Sequence, residues 1–200
     1  MKYDGDTVKQ WAGDSQWRAC RAEFARFKQH GYTGWGSEGF WALAIYRLQR
    51  AILASRPKWA WAPARIALAI IRKLFTLLTI IDINPKAQIG PGLFIGHGGP
   101  IRIYEATKIG ADCAVLHGCT IGAGPYGGGA TIGDHVYVGC CASIIGNVKI
   151  GDGAVVAASS LVLCDVPAGF TAIGVPAKNL PAIAGRAASF GRPPEPGIAE

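Results

Sequence analysis

The second half of this 200-residue chain repeats every six residues. An aliphatic side chain, usually followed by a small residue, recurs at Ile89, Ile95, Ile103, Ile109, Val115, Ile121, Ile132, Val138, Ile144, Ile150, Val156 and Val162. A period of six belongs to neither an α-helix nor an ordinary strand. So short a unit cannot bury its own apolar face and must stack on its neighbours, which is how a solenoid builds a continuous core. With three hexads to a triangular coil, the twelve hexads predict about four coils.

Two interruptions break the frame. Ile95 to Ile103 is eight residues and Ile121 to Ile132 is eleven. The second contains Gly124-Pro125-Tyr126-Gly127-Gly128-Gly129, a run of chain-bending residues that predicts an exposed loop. Solenoids put length variation on the surface, and loops on a rigid scaffold carry function.

Charge divides where the repeat begins. Residues 1–81 hold 13 Lys/Arg against 5 Asp/Glu, whereas 82–200 hold 7 against 8. The basic half reads as helical. Trp41, Leu43, Ala44, Tyr46, Leu48 and Ile52 fall at helical intervals between Gly39 and Ser55, with Arg56-Pro57 as the stop, and a second apolar helix runs from Pro63 to about Ile80. Arg72 and Lys73 interrupt that second run, so it reads as a helix buried on the solenoid or on another subunit. A sharper alternative has Arg56, Lys58, Arg65, Arg72 and Lys73 facing anionic lipid. The polar first residues read as no secretory signal, so the expected location is cytoplasmic, with peripheral contact at the inner face of a membrane as an extension. No P-loop, Rossmann or helix-turn-helix pattern is found, and no nucleic-acid partner is expected. Cys20, Cys113, Cys119, Cys140, Cys141 and Cys164 lack zinc-like spacing and read as reduced and packed. The resulting division is a helical region over 1–81, a solenoid over 82–180 and a tail over 181–200, expected to be partly disordered.

The histidines carry the chemistry. His97 stands two places after Ile95 and His117 two places after Val115, three hexads on, so the two should stack on one face of adjacent coils. His97 lies in Gly96-His97-Gly98-Gly99 at the longer hexad, where glycine admits a ligand close to the backbone. With only these two histidines aligned, no metal site is expected.

From Ile81 to Pro181 the chain resembles the serine acetyltransferases among the left-handed parallel β-helix, or hexapeptide-repeat, acyltransferases. The resemblance is carried by Asp82-Ile83-Asn84-Pro85, by His97 fifteen positions after Asp82, and by the closing Ile173-Gly174-Val175-Pro176-Ala177-Lys178. It implies an α+β protein: a helical N-terminal region, then a left-handed β-helix of about four coils with one extended loop. The implied assembly is a homotrimer or a dimer of trimers. It also implies acetyl transfer from acetyl-CoA to a hydroxyl, with His97 as general base and Asp82 holding its other N–H. The backbone near Gly122 or Ala123 would meet the oxyanion, the pantetheine would run past Gly139, Cys140 and Ala158, and Lys178 would meet phosphate.

Departures from the family bear on the acceptor. The usual aspartate before the histidine is replaced by Gly96, and the arginine–histidine pair of the following loop is missing from Gly127-Gly128-Gly129-Ala130-Thr131. A zwitterion would then lack counter-charges, so the expectation is a neutral hydroxyl acceptor, a sugar of a surface polysaccharide or its precursor, with His117 and Glu105 as acceptor contacts. Serine O-acetylation is the first alternative and a non-catalytic trimeric scaffold the second.

Overall fold

The computed structural model describes residues 16–32, 36–55 and 60–181. The tail expectation and the proposed stop at Arg56-Pro57 lie outside the described residues. Three helices, α1 (Gln16–Gln29), α2 (Glu38–Ala54) and α3 (Ala62–Thr79), precede fifteen short strands arranged on three faces. The first face holds β1 (Ile81–Ile83), β4 (Ile101–Ile103), β7 (Thr120–Gly122), β10 (Ser143–Ile145) and β13 (Leu161–Val162). The second holds β2 (Gln88–Ile89), β5 (Lys108–Ile109), β8 (Thr131–Ile132) and β11 (Lys149–Ile150). The third holds β3 (Phe94–Gly96), β6 (Ala114–Leu116), β9 (Tyr137–Val138), β12 (Val155–Val156), β14 (Thr171–Gly174) and β15 (Ala177–Leu180).

The hexad frame is the inward column. Ile95, Ile109, Ile121, Ile144, Val156 and Val162 are fully buried, and so are the residues two places earlier, such as Leu93, Cys113, Ala142 and Ala154. The small residue after the aliphatic one has a steric cause. A Cβ on Gly90 would lie 2.7 Å from the Gly110 carbonyl carbon, and one on Gly110 would lie 2.6 Å from that of Gly133. Coils therefore stack backbone on backbone at that corner. There are five coils instead of the expected four. Ile83 begins the frame one hexad before Ile89, and a shortened last turn adds the Ile150–Val166 bridge and buried Ala172.

Both interruptions emerge where expected. The first makes the bend between β3 and β4, and the second is the loop between β7 and β8, where Gly124 bridges Gly127 and Tyr126 is fully exposed.

The helices cap the first coil. Carbonyls of Thr107 and Ile109 accept from Gln88 and Gly90 of the coil before, but the equivalent Ala87 and Ile89 have no such coil. Tyr46 Oη donates to Ala87 O at 2.7 Å and Arg47 Nη1 to Ile89 O at 2.7 Å, so α2 supplies the donors that a preceding coil would have given. Arg47 is itself held by buried Glu23 of α1. Burial raises the Glu23 carboxyl pKa and Arg47 works against that rise.

Helix α3 is turned inside out. Ile66, Ile70, Ile71, Leu74, Leu77 and Leu78 are exposed, Leu78 to 84%, while Leu68 alone is buried. Three of its polar residues are tied to the rest of the fold: Arg72 Nη1 pairs with Asp82 at 2.6 Å, Thr76 donates to Ile81 O and Arg65 to Leu53 O. Of the basic set named in the lipid alternative, Arg65 and Arg72 are engaged within the fold and Lys73 is exposed, while Arg56 and Lys58 lie outside the described residues. Among the described residues no helix is long and apolar enough to cross a membrane.

Candidate active site

His97 sits at the bend that leaves β3, with a left-handed φ of 64°, and its ring is exposed. The register that pairs Gly96 with Leu116 continues to bring His97 beside His117, and the two rings lie 5.9 Å apart in an edge-on arrangement. The expected stacking of the two histidines is therefore present. His117 Nδ1 is buried and has no hydrogen-bond partner among the described residues.

The same edge continues along the third face. Val115 pairs with Val138 and Val138 with Val156, so Cys140 follows His117 in the column and Ala158 follows Cys140. The column then reaches the terminal hairpin, where Ile173 faces Lys178 and Gly174 faces Ala177. A Cβ on Gly139 would lie 2.6 Å from Ala158 N, which keeps this wall smooth. Five interstrand steps of about 4.8 Å place exposed Lys178 about 24 Å from His97. Gly139, Cys140, Ala158 and Lys178 thus form one edge that begins at the histidines.

Four other expected residues lie elsewhere within the chain. Asp82 is engaged by Arg72, and His97 Nδ1 instead stands 3.2 Å from Tyr32 Oη. Glu105, at the far bend of the first face, pairs with Lys86 at 2.8 Å. Gly122, the last residue of β7, and Ala123 lead into that same far bend, one coil on, at the end of β7 away from the histidine edge. The spacing of a solenoid sequence gives the strand of a residue, but a face separates one bend from the next.

Two residues of the helical cap complete the surroundings of His97 and were not singled out from the sequence. Tyr32 follows α1 and meets the imidazole. Glu38, in the first turn of α2, lays its carboxylate on Gly98: a Cβ there would be 1.6 Å from Oε2. No pattern in the chain marks either residue, because both reach the site by tertiary packing. Nearby, His30 stacks on Phe94 at 4.3 Å, and burial followed by Arg26 pushes its pKa down. No cluster of three or more metal-binding side chains occurs among the described residues.

A coil of hexads with a histidine at its third-face edge defines a hexapeptide-repeat transferase, and residues 129–164 match the family described as bacterial transferase hexapeptide (six repeats). The serine acetyltransferase of Helicobacter pylori is 39% identical over 145 residues, 71% of this chain and 81% of that protein. The chain belongs to the serine acetyltransferase family of left-handed β-helix acyltransferases. Serine acetyltransferase 4 of Arabidopsis thaliana is also 39% identical, over 70% of this chain, but the match spans only 39% of that longer protein. Among solved structures, Neisseria gonorrhoeae serine acetyltransferase in complex with serine aligns with a TM-score of 0.72 and 28% identity, over 87% of this chain and 73% of that one. The Brucella abortus enzyme in complex with coenzyme A aligns at 0.73 and 25% identity, over 88% and 72%.

Proposed function

We propose that this chain is an acetyl-CoA-dependent O-acetyltransferase that acts on L-serine, with His97 as general base. The observation that carries this reading is the edge that starts at His97 and His117 and runs past Gly139, Cys140 and Ala158 to Lys178. It is lined by small residues and ends on a cation, as an extended thiol carrier with terminal phosphates requires. In neutral imidazole one nitrogen carries hydrogen. Tyr32 Oη lies within hydrogen-bond reach of Nδ1, and the tautomer in which Nδ1–H donates to it leaves the Nε2 lone pair for the acceptor. Nε2 takes the hydroxyl proton as the oxygen attacks the thioester carbonyl; the C–S bond then breaks, and the departing thiolate recovers that proton from the imidazolium. Donors on the oxyanion complete the site.

In this reading the working unit is a homotrimer. Seams between subunits lay a neighbour's face against the histidine edge, and Asp82, Glu105, Gly122 and Ala123 act there from the neighbouring chain. The serine carboxylate is held by Arg102, exposed on β4 just after the His97 bend.

The sequence-based expectation of a polysaccharide sugar is the second reading, favoured by the missing side chain at Gly96 and the missing arginine–histidine pair in the loop at Gly127–Thr131. The relatives named above are serine enzymes, and that moves serine ahead. Thiol release from acetyl-CoA with L-serine, and in parallel with a panel of sugars and glycans, separates the two. Serine turnover that is lost in His97→Ala is expected; turnover with sugars alone would reverse the order, and coenzyme A binding with every acceptor inert would leave the scaffold.

Peripheral membrane contact belongs to the same reading. The outward apolar face of α3 begins beside half-exposed Trp61 and carries exposed Lys73 at its rim, and α3 has no acidic residue. That face suits shallow burial in an anionic lipid surface, driven by apolar area more than by charge.

A further inference from the structure

We infer that Glu38 is the counter-charge for the acceptor's ammonium group, and so the residue that selects an amino acid over a neutral alcohol; this rests on the serine reading above. A zwitterion bound with its hydroxyl at His97 must find an anion for its ammonium in the same small space, because an unpaired buried charge is costly. The strand end offers none. Gly96 has no side chain, and the room beside it is filled by apolar atoms, with Leu116 Cδ2 at 2.6 Å and Phe94 Cε1 at 3.0 Å from where a Cβ would be. The anion arrives instead from the helical cap. Glu38 Oε2 occupies the place of a Cβ on Gly98, the residue next to the base.

The contact at Gly98 bears on how the carboxylate is placed. Its φ lies outside the left-handed region, so the backbone does not demand glycine there, and the place a Cβ would take holds the movable end of Glu38, a carboxylate that can turn toward a ligand. A glutamate in the first turn of a helix also suits the helix dipole, but that role needs no contact with the bend of another element. Glu38 is exposed and no cation pairs with it among the described residues, so the charge is available to a ligand.

Steady-state kinetics of the full chain and its E38Q and E38D variants test this. L-serine and L-serinamide serve as acceptors that carry an ammonium, and glycerate as a competitive inhibitor that does not. With E38Q, KM for both ammonium acceptors should rise about 10- to 100-fold, with kcat within about threefold. The glycerate Ki and coenzyme A affinity should be unchanged, and E38D should recover part of the loss. Unaltered KM values in E38Q would overturn the inference while leaving serine as the acceptor, as would an equal loss for all three ligands, which marks a structural role. A wild-type chain that turns over no L-serine would overturn the acceptor reading itself, and this inference with it.

Discussion

Tyr32 and His97 meet at 3.2 Å, hydroxyl to Nδ1, so a residue that follows the first helix holds the imidazole of a histidine on the solenoid. Tyr32→Phe removes that contact and keeps the ring that packs near Phe27 and Phe94. A lost hydrogen bond of about 1 kcal/mol corresponds to about a fivefold fall in kcat, with coenzyme A affinity and thermal midpoint unchanged. A kcat equal to wild type would show that the imidazole is oriented by something else.

Arg47 is the most heavily used side chain of the cap, holding two first-coil carbonyls, Ile89 and Gly90, together with Glu23. Arg47→Met leaves Glu23 buried without its partner and two carbonyls without donors. The expected loss is about 3–5 kcal/mol, read as a lower denaturation midpoint. Glu23→Gln together with Arg47→Met should recover part of it. A single variant as stable as wild type would mean that the helices do not depend on this tie.

Burial pushes the thiol of Cys113 up to about 12 and that of Cys119 up to about 11, each against an ordinary value of 9.0. A folded-state pKa above the unfolded value means that the folded chain holds its proton more tightly. This contribution to stability is full below about pH 9 and is lost as pH rises toward 11–12. Cys113→Ala and Cys119→Ala should each flatten the alkaline fall of the unfolding midpoint. In native protein at pH 8 a thiol alkylator should label Cys141 and Cys164, which are exposed, and spare Cys113 and Cys119; equal labelling of all four, read by mass spectrometry, would contradict the packing described.

The outward face of α3 makes the lipid reading checkable. Leu74→Asp combined with Leu78→Asp should abolish co-sedimentation with vesicles containing phosphatidylglycerol and leave acetyl-CoA turnover intact. High salt should weaken binding only modestly, because Lys73 is the cation at the rim. Sedimentation that survives both substitutions would place any lipid contact elsewhere.

The solenoid was legible because its core is written at a fixed interval, and each frame residue from Ile89 to Val162 is an inward one. The ends were less so. Ile83 keeps the spacing of six, but the last turn shortens between Val162 and Val166, and the period that reveals the middle cannot reveal a departure from itself. The stacking of His97 on His117 was visible for the same reason. Tyr32 and Glu38 were not, since Tyr32 meets the histidine and Glu38 meets Gly98 only through the docking of a helical cap that depends on Tyr46, Arg47 and Arg26 meeting backbone carbonyls, contacts that leave no pattern in the chain. Helix α3 misled in a specific way. The lipid alternative set Arg72 on the outward face with the other basic residues, yet Arg72 turns inward to Asp82 and the apolar side faces out.

The last strand, β15, runs opposite to all the others, with Thr171 facing Leu180 and Gly174 facing Ala177. A stack of parallel rungs has no built-in limit, and whatever seats the fifth rung would seat a sixth borrowed from another molecule. By doubling back, the chain offers a newcomer a mismatched polarity in place of a template, and it does so at the end opposite the one closed by Tyr46 and Arg47. The number of rungs is therefore set by how the stack is terminated, and the molecule stays a finite particle instead of the first segment of a fibre.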